Sequence, residues 1–419
     1  MSKRRIQNIV LVNFILLFVI PLFSSGQNNT SSPYSKFGLG DLASVGYGRN
    51  LALGGTGYGL RDPFYLNLKN PASLTAIDSL NFLYEIGVNG QFLSSTAVGH
   101  NEIYWNGNLT HVTFGHRYTS WLMGNYGLMP YTNIGYRIIT SKVVEGEDSP
   151  VVTNWNGYGG INKIFYNLGI KISNNFSLGG EVAYYYGPIT ELRTSTILVQ
   201  PDNPSIYYSN TRYHGFSYKG AFQFTSNLDK EGTNLTIGGT FTPKQTLRGK
   251  SEVIIEQQYS TSVIDSMYSN DATATPIVIP MDYGAGVSFT WKGKYMLTAD
   301  YEWANWSINS DKTYIDQSIY SIGFERKSQK SLNYFGRCSY RAGFRYDSGY
   351  LNTKGYNIDD MRFSLGMGFP ILKTRSVIST TLEVGQRGTY RMGLVQERYV
   401  KMTVALSLQD FWFVKRRLN

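Results

Sequence analysis

Apolar and polar side chains alternate residue by residue in many short stretches of this chain. From Tyr283 to Trp291 every odd position is apolar and every even position is small or polar, and similar alternation runs from Tyr295 to Trp303. It returns in Tyr166–Ile172 and in Met402–Leu408. Because successive side chains of a β-strand point to opposite faces, this period predicts strands with one apolar and one polar face.

Counted through this alternation, the chain contains fourteen predicted strands. Short connections, such as Lys292–Lys294, alternate with long polar ones, such as 191–214 and 249–275. Outer-membrane barrels pair short periplasmic turns with long outer loops and have an even number of strands. We therefore expect an all-β fold, a transmembrane antiparallel up-and-down β-barrel of about 14 strands; a β-sandwich also alternates, but these connection lengths argue against it. The predicted strands lie near residues 80–93, 106–116, 121–140, 157–172, 176–190, 215–225, 234–248, 278–291, 295–304, 317–326, 333–346, 361–372, 376–385 and 398–413.

The first residues have the order typical of an export signal. The basic start Lys3–Arg5 is followed by an apolar stretch from Ile9 to Phe23 and by small residues up to Gly26. This order predicts a secretory signal peptide over residues 1–26, with an uncleaved membrane anchor as the alternative. No later stretch stays apolar for about 18 residues, so no transmembrane helix is predicted. The expected location is the bacterial outer membrane.

Residues 27–79 precede the first predicted strand and alternate poorly, with many Gly, Ser and Asn residues. A barrel of about fourteen strands is too wide for its own side chains to fill. We therefore expect residues 27–79 to form a plug or hatch inside a barrel of residues 80–419. A periplasmic extension is the alternative.

The charge balance changes the list of expected partners. The chain has 39 Lys and Arg against 29 Asp and Glu, a formal charge of +10, but these residues are scattered and form no basic patch. Nucleic acid is therefore not an expected partner. The basic residues suit outer-membrane lipid at the rims or carboxylates in the lumen. The single cysteine, Cys338, excludes an intramolecular disulfide and a Cys-based metal site.

Candidate catalytic and metal-binding residues are few. His111 and His116 are five residues apart on one predicted strand, so their side chains point to opposite faces. His214 with a loop acid or serine would be the candidate catalytic pair, but no spacing selects its partner. We predict no enzyme activity, no catalytic residues, no metal site and no cofactor.

Charged residues fall on the polar phase of several predicted strands, and two interpretations stay open. They would steer a solute or anchor a plug, or they would form ordinary salt bridges in a filled barrel, which is the preferred interpretation. The residues concerned are Lys171, Glu181, Asp300, Glu302, Arg341, Arg345 and Lys401.

Pro130 lies within a long predicted strand. Proline cannot donate a hydrogen bond to a ladder, so it marks an edge, a bulge or the end of a strand. Pro130 therefore indicates either a kink that opens a lateral gap towards lipid or a turn between two shorter strands.

The glycine-rich motifs of this chain resemble those of the FadL-type family, the outer-membrane long-chain fatty acid transporters and their relatives. Leu53-Gly54-Gly55-Thr56-Gly57 and Asn70-Pro71-Ala72 look like the hatch that opens such proteins, so Gly54, Gly55, Gly57, Asn70, Pro71 and Ala72 form the candidate hatch motif. The resemblance implies fourteen strands, in agreement with the independent count. Further similar motifs are Leu178-Gly179-Gly180, Ile237-Gly238-Gly239, Gly284-Ala285-Gly286, Tyr340-Arg341-Ala342-Gly343 and Leu365-Gly366-Met367-Gly368.

Ser32–Asp41 and Gly127–Tyr131 resemble a Bacteroidota branch of that family. Barrels of this branch include a subunit of the type IX secretion system and accessory barrels of outer-membrane protein assembly. Asp265-Ser266-Met267 also resembles the O-glycosylation acceptor pattern of Bacteroidota, so Ser266 is a candidate modification site.

These observations leave two functions. The first, slightly preferred, is a passive conduit for a hydrophobic small molecule; it predicts an apolar pocket between residues 27–79 and the wall, and an opening near a kinked strand. The second is a non-transport scaffold or accessory subunit of a protein assembly or type IX secretion machine. It predicts a closed lumen and envelope protein partners.

Overall fold

The computed structural model describes residues 30–411, except for residues 45, 47, 79–80, 144–148, 198–199, 261–262, 310–312, 330 and 373. The predicted signal peptide, residues 1–26, lies outside the described residues. Within them, no helix combines the length and the apolar character needed to cross a bilayer.

Fourteen long strands, here called β1 to β14, account for most of the described chain, and four of them are interrupted once. Their bounds are β1 Asn81–Ala97, β2 His100–Arg117, β3 Leu122–Pro130 and Thr132–Lys142, β4 Val151–Gly159 and Asn162–Lys171, β5 Phe176–Ile197, β6 Gln200–Asn227, β7 Asn234–Thr242 and Gln245–Ser260, β8 Val263–Ile279 and Asp282–Trp291, β9 Tyr295–Ala304, β10 Gln317–Arg326, β11 Ser339–Asp347, β12 Asp360–Pro370, β13 Val377–Arg387 and β14 Gln396–Phe411.

Each strand pairs with the next along the chain in antiparallel register, and the sheet closes on itself. The closing ladder joins β1 to β14, from Asn81↔Phe411 to Thr96↔Gln396. The all-β fold class and the count of fourteen strands are therefore confirmed. Closure satisfies the strand edges that an open sheet would leave in the membrane.

The burial pattern identifies the two faces of the wall. On β8, Phe289 and Trp291 are exposed on the outside, whereas Ser288 and Thr290 are buried inside. This is the arrangement of a barrel that presents apolar residues to lipid and polar residues to its lumen.

Two of the expected long loops are strands instead. Residues 191–197 with 200–214, and residues 249–260 with 263–275, continue the ladders of β5–β6 and β7–β8 outward, for example through Glu191↔Ser209 and Glu252↔Asp271. These segments are rich in Thr, Ser, Tyr and Ile, which favour a pleated ladder even where neither face is a core. No long loop separates the predicted strands 80–93 and 106–116 either, since β1 and β2 run on to a tight turn at Val98–Gly99.

The outward extensions of β4–β7 form what we call the outer sheet, comprising residues 151–159, 189–197, 203–214 and 245–258. Strands β5 and β6 contain 22 and 28 residues, whereas about 9–11 residues cross a bilayer. The outer sheet therefore projects beyond the membrane on the side of the long connections.

Short elements occur between the strands and before β1. The predicted strand 333–346 begins only at Ser339, because Asn333 caps a short helix, Tyr334–Arg337. The remaining elements are the 3-10 helices Pro33–Lys36, Pro71–Ala76, Trp306–Asn309 and Arg391–Gly393, the helix Gly48–Ala52, the strand Asp41–Leu42 and the hairpin Asn352–Thr353 with Tyr356–Asn357.

Candidate functional site

The described residues before β1 lie inside the barrel and divide into two parts. The hatch, residues 48–77, contacts opposite sides of the wall: its helix Gly48–Ala52 packs on β11–β14, and its 3-10 helix Pro71–Ala76 packs on β3–β6. The strap, residues 30–42, lies nearer the outer end, where it contacts β3 and the connection between β13 and β14. The interior is therefore occupied by the chain's own N-terminal residues.

The glycines of the hatch motif allow the backbone to approach the wall. Gly54 has φ +70°, and a Cβ added there would lie 2.4 Å from the carbonyl oxygen of Phe344. Gly55, with φ +84°, follows in the same turn. The amide of Gly57 donates to Asp300 of β9 at 2.6 Å. Glycine is needed here because both positive φ and backbone contact exclude a side chain.

Asn70, Pro71 and Ala72 build a capped turn against β5 and β6. The Asn70 side chain accepts from the Ala72 amide at 3.0 Å, and Pro71 begins the 3-10 helix. The Asn70 side-chain amide donates to the carbonyl oxygens of Tyr58 and Phe222, each at 2.9 Å. One asparagine therefore caps a helix and ties two parts of the hatch to the wall.

Glu325 of β10 joins the hatch to the wall through two arginines. Its carboxylate accepts from Arg49 of the hatch at 2.6 Å and from Arg341 of β11 at 2.7 Å. The three side chains are at most 4% exposed. Arg49 also meets Asp62 at 3.1 Å. Buried charges of this kind are tolerated only when they are paired and hydrogen-bonded.

A second buried cluster surrounds Lys69 of the hatch. Its ammonium group forms an ion pair with Glu302 and lies 3.8 Å from Asp300. Arg345 of β11 contacts Glu302 from the other side at 3.4 Å. The predicted inward charges Asp300, Glu302, Arg341 and Arg345 thus come together around the hatch.

The space left between hatch, strap and outer loops is small and mixed in character. One cavity there amounts to about 240 Å³, and a second of about 150 Å³ lies beside the strap; each is smaller than the range of about 300–1,000 Å³ usual for small-molecule pockets. Met129, Ile279 and Trp303 contribute apolar surface to the larger cavity. Eleven charged side chains also line it: Lys69, Lys163, Glu181, Lys219, Asp282, Glu302, Arg345, Asp347, Asp360, Arg362 and Arg387.

The wall itself has a seam between β2 and β3. Their ladder runs only from Arg117↔Met123 to Val112↔Leu128, although β2 extends to His100. Pro130 ends the first piece of β3, and the second piece, from Thr132, pairs with β4. Among the described strands, none pairs with residues 100–111 of β2 on this side. Pro130 therefore lies where the two strands separate.

The strap bridges this seam. Asp41 and Leu42 pair with Asn133 and Thr132 of β3 as a two-residue ladder. Ser35 bonds to the backbone of Gly135 at 3.1 Å, while Ser31 donates to Asn106 of β2 at 2.8 Å. One side of the seam is thus joined to the other through the strap.

Further contacts hold the strap to the outer end of β13 and β14. Asp41 forms an ion pair with Arg387 at 2.6 Å, and Ser32 donates to Glu397 at 2.5 Å. Tyr34 donates to the carbonyl oxygen of Val395. Burial raises the pKa of Tyr34 to about 12, so its hydroxyl stays protonated and remains a donor at neutral pH.

The other residues singled out in the sequence, His111, His116 and Ser266, lie away from the hatch motif and the strap. His111 is buried beside Glu85 in the lumen, whereas His116 contacts Phe82 and Tyr118 on the outside of the wall. Ser266 belongs to the outward part of β8, where its backbone pairs with Glu256. Within the described residues, no group of three or more His, Cys, Asp or Glu is placed to hold a metal ion.

Several inward-facing glycines of the wall were noted in the sequence as motifs, but their contact with the hatch was missed. A Cβ at Gly179 would lie 2.3 Å from the Ala72 amide, one at Gly238 2.1 Å from the Tyr58 carbonyl oxygen, and one at Gly343 2.0 Å from the Gly54 amide. Gly323 and Gly366 contact the hatch in the same way. The available signal was glycine on the polar phase of a strand, where a barrel usually places side chains.

Comparisons with known proteins agree with this architecture. The sequence model of the BamG family matches residues 5–419. No curated protein matches the chain. A Pseudomonas aeruginosa FadL homologue is 13% identical, with 90% of this chain and 99% of that chain covered and a TM-score of 0.61.

Two solved transporters are similar to the same degree. The Ralstonia pickettii toluene transporter TbuX is 15% identical over 88% of this chain and 98% of its own, with a TM-score of 0.59. The Pseudomonas putida toluene transporter TodX is 13% identical over 90% and 100%, with a TM-score of 0.60. At these identities the likeness shows a FadL-like barrel fold, which supports an outer-membrane location.

Proposed function

The chain belongs to the BamG family, and we propose that it is a closed outer-membrane barrel that serves as an accessory subunit for other envelope proteins. The observation that carries this proposal is that the lumen is filled by the hatch, which ion pairs hold to the wall. Hatch and wall share the buried Glu325 ion pairs and the largely buried Glu302 pair, and the cavities left between them are small, about 240 and 150 Å³. A hydrophobic solute would have to pass eleven charged side chains, at a high desolvation cost.

The outer sheet offers the surface on which such partners would dock. Leu192, Tyr208 and Ile254 lie side by side in register on one of its faces, and each is partly exposed. Tyrosine and large apolar residues are enriched at protein interfaces, where they supply contact area with few rotatable bonds. A sheet that projects beyond the membrane with such a row is suited to binding another protein.

The proposal is tested by purifying the tagged protein from native outer membranes in mild detergent. Mass spectrometry then identifies both the proteins and the bound small molecules. We expect other envelope proteins in stoichiometric amounts and no enriched hydrophobic ligand in the lumen. A lone barrel carrying a bound hydrophobic molecule would overturn the proposal.

The second candidate is a conduit for hydrophobic small molecules, and the seam favours it. The gap between β2 and β3 lies beside Pro130, and the apolar part of the lumen space reaches that residue. The toluene transporters TbuX and TodX share the fold. In this function the strap would act as a gate.

The two candidate functions predict different effects of a disulfide bond that locks the strap to β2. Ser31→Cys and Asn106→Cys, in a Cys338→Ser background, place a cysteine on each side of a 2.8 Å side-chain contact. Under the accessory function, the oxidised variant recovers the same partners as the reduced one. Under the conduit function, oxidation abolishes uptake of a hydrophobic dye into cells, and reduction restores it.

We propose that residues 1–26 are removed on export, that residues 27–79 form the plug and residues 80–419 the barrel domain, and that the protein comes from a Bacteroidota branch of FadL-like barrels. The plug boundary is supported by the contacts of the hatch with both sides of the wall.

A further inference from the structure

The outside of the barrel carries an apolar groove near the outer ends of β12–β14, β1 and β2. It encloses about 510 Å³ of space. Its lining includes Phe92, Ile103, Met361, Phe363, Val384 and Val400, all on the lipid-facing phase of their strands. The groove is separate from the lumen and the outer sheet, and it borders the seam at Ile103 of β2.

Strand register explains why a groove forms at this place. Phe363, Val384, Val400 and Phe92 lie side by side on four neighbouring strands. The two phenylalanines are 60% and 56% exposed and stand at the ends of the row, with the shorter valines between them. Two tall side chains flanking two short ones make a channel that runs along the strands.

A polar row closes the outer end of this channel. Two residues further outward on the three central strands, Gln386, Arg398 and Ser94 again lie side by side. Met361 of β12 and Ile103 of β2 flank this row, so the apolar lining reaches its level and the polar side chains stand at the outer end of the channel.

Arg398 is the cation of that row. Its Nε donates to the side-chain oxygen of Gln386 at 3.3 Å, and none of the ion pairs among the described residues involves it. The two terminal nitrogens of the guanidinium are thus left to bind an anion. A guanidinium donates two parallel hydrogen bonds to a phosphate, which suits it to this role.

We propose that the groove is a binding site for lipopolysaccharide, with one acyl chain between Phe363 and Phe92 and a lipid A phosphate on Arg398. The position argues for this occupant, because the groove opens at the end of the barrel that carries the outer sheet and so faces the outer leaflet. An apolar channel below a cation matches an acyl chain below a phosphate. The inference rests on the outer-membrane location and is independent of the docking function.

Native mass spectrometry of the protein purified from outer membranes tests the proposal. The variants are Arg398→Gln, which removes the cation, and Val384→Trp, which fills the channel. Arg398→Lys keeps the charge, and Ile322→Trp adds the same bulk on β10, at a lipid-facing position 47% exposed. Heat-modifiable migration in gels shows that each variant is folded.

We expect wild type to retain about one lipopolysaccharide per chain, with about ten-fold less retained by Arg398→Gln and Val384→Trp. Arg398→Lys and Ile322→Trp should retain most of it. Equal retention by wild type and Arg398→Gln, or a similar loss in Ile322→Trp, would overturn the proposal. So would a phospholipid found in the place of lipopolysaccharide. Protein partners recovered in the same preparation report separately on the docking function.

Discussion

The hatch and the strap are neighbouring stretches of one segment, yet they are attached to the barrel in different ways. The hatch meets the wall backbone to backbone, at wall glycines such as Gly343, and its ion pair with Glu325 is almost fully buried. The strap is held by hydroxyl hydrogen bonds, a two-residue ladder and an Asp41–Arg387 pair that is 17–18% exposed. We infer that the hatch is a fixed part of the folded barrel, whereas the strap can be displaced at smaller cost.

The largest expected effect comes from breaking the buried charge cluster of the hatch. Glu325→Ala leaves Arg49 and Arg341 buried without their shared carboxylate, so we expect a loss of about 3–5 kcal/mol in unfolding free energy. Urea unfolding in lipid vesicles, followed by tryptophan fluorescence, measures it. Glu231→Ala, at an exposed pair with Lys292, should cost less than about 1 kcal/mol. Equal effects would mean that the cluster does not fasten the hatch.

The second-largest effect on stability is expected from a substitution at the wall glycines. Gly343→Leu forces a side chain against the Gly54 amide, which lies 2.0 Å from the position of its Cβ. We expect the unfolding free energy to fall by about 3 kcal/mol, the upper end of the usual cost of overpacking. The N-terminal segment should also be proteolysed faster. Gly220→Leu is the matched control, because nothing lies within 4 Å of an added Cβ there. A stable, protease-resistant Gly343→Leu variant would contradict the account of the hatch.

Asn70→Ala tests the capped turn of the hatch motif. It removes the helix cap and the bonds to the carbonyl oxygens of Tyr58 and Phe222. Unsatisfied buried groups and a lost cap suggest a cost of about 1–3 kcal/mol, measured by the same unfolding assay. Asn70→Asp keeps the helix cap but loses the side-chain N–H donors. Its unfolding free energy should therefore lie between those of wild type and Asn70→Ala.

The smallest effect on stability is expected in the strap. Asp41→Asn removes a partly exposed ion pair with Arg387, so the unfolding free energy should fall by about 1 kcal/mol or less. The thiol labelling rate of Ser31→Cys, in a Cys338→Ser background, should nevertheless rise several-fold in Asp41→Asn. A stability loss as large as that of Glu325→Ala would show that strap and hatch are attached equally firmly.

The alternation of apolar and polar residues predicted those parts of the fold that are determined within a single strand. Alternation in stretches such as Tyr283–Trp291 was enough to find fourteen strands, because each wall strand has lipid on one side and lumen on the other. The outward continuation of β5–β8 was missed, since apolar residues such as Leu192 and Tyr208 are too widely spaced within residues 191–214 to give a regular alternation. Their ladders depend on neighbouring strands that a single stretch of sequence does not reveal.

The candidate site was predictable only in part. The glycines of the hatch motif and Asn70 could be singled out from the sequence because they act locally in turns; their role as a hatch stays a prediction. The wall glycines were noted as motifs, but their contact with the hatch joins residues far apart in the chain, such as Gly179 and Ala72. The seam was indicated by Pro130 alone, while the strap that bridges it depends on Ser31, Ser35 and Asp41, whose residue types are unremarkable in a loop.

The most direct test of the central claim, a closed barrel that binds envelope proteins through its outer sheet, is partner recovery by a surface variant. Tyr208→Glu combined with Ile254→Glu places charges in the exposed apolar row, and Ser209→Glu places one on the opposite face of the same sheet as a control. The account predicts that the double variant folds and inserts but loses the partners that wild type and the control recover. Undiminished recovery of the same partners by the double variant would contradict it.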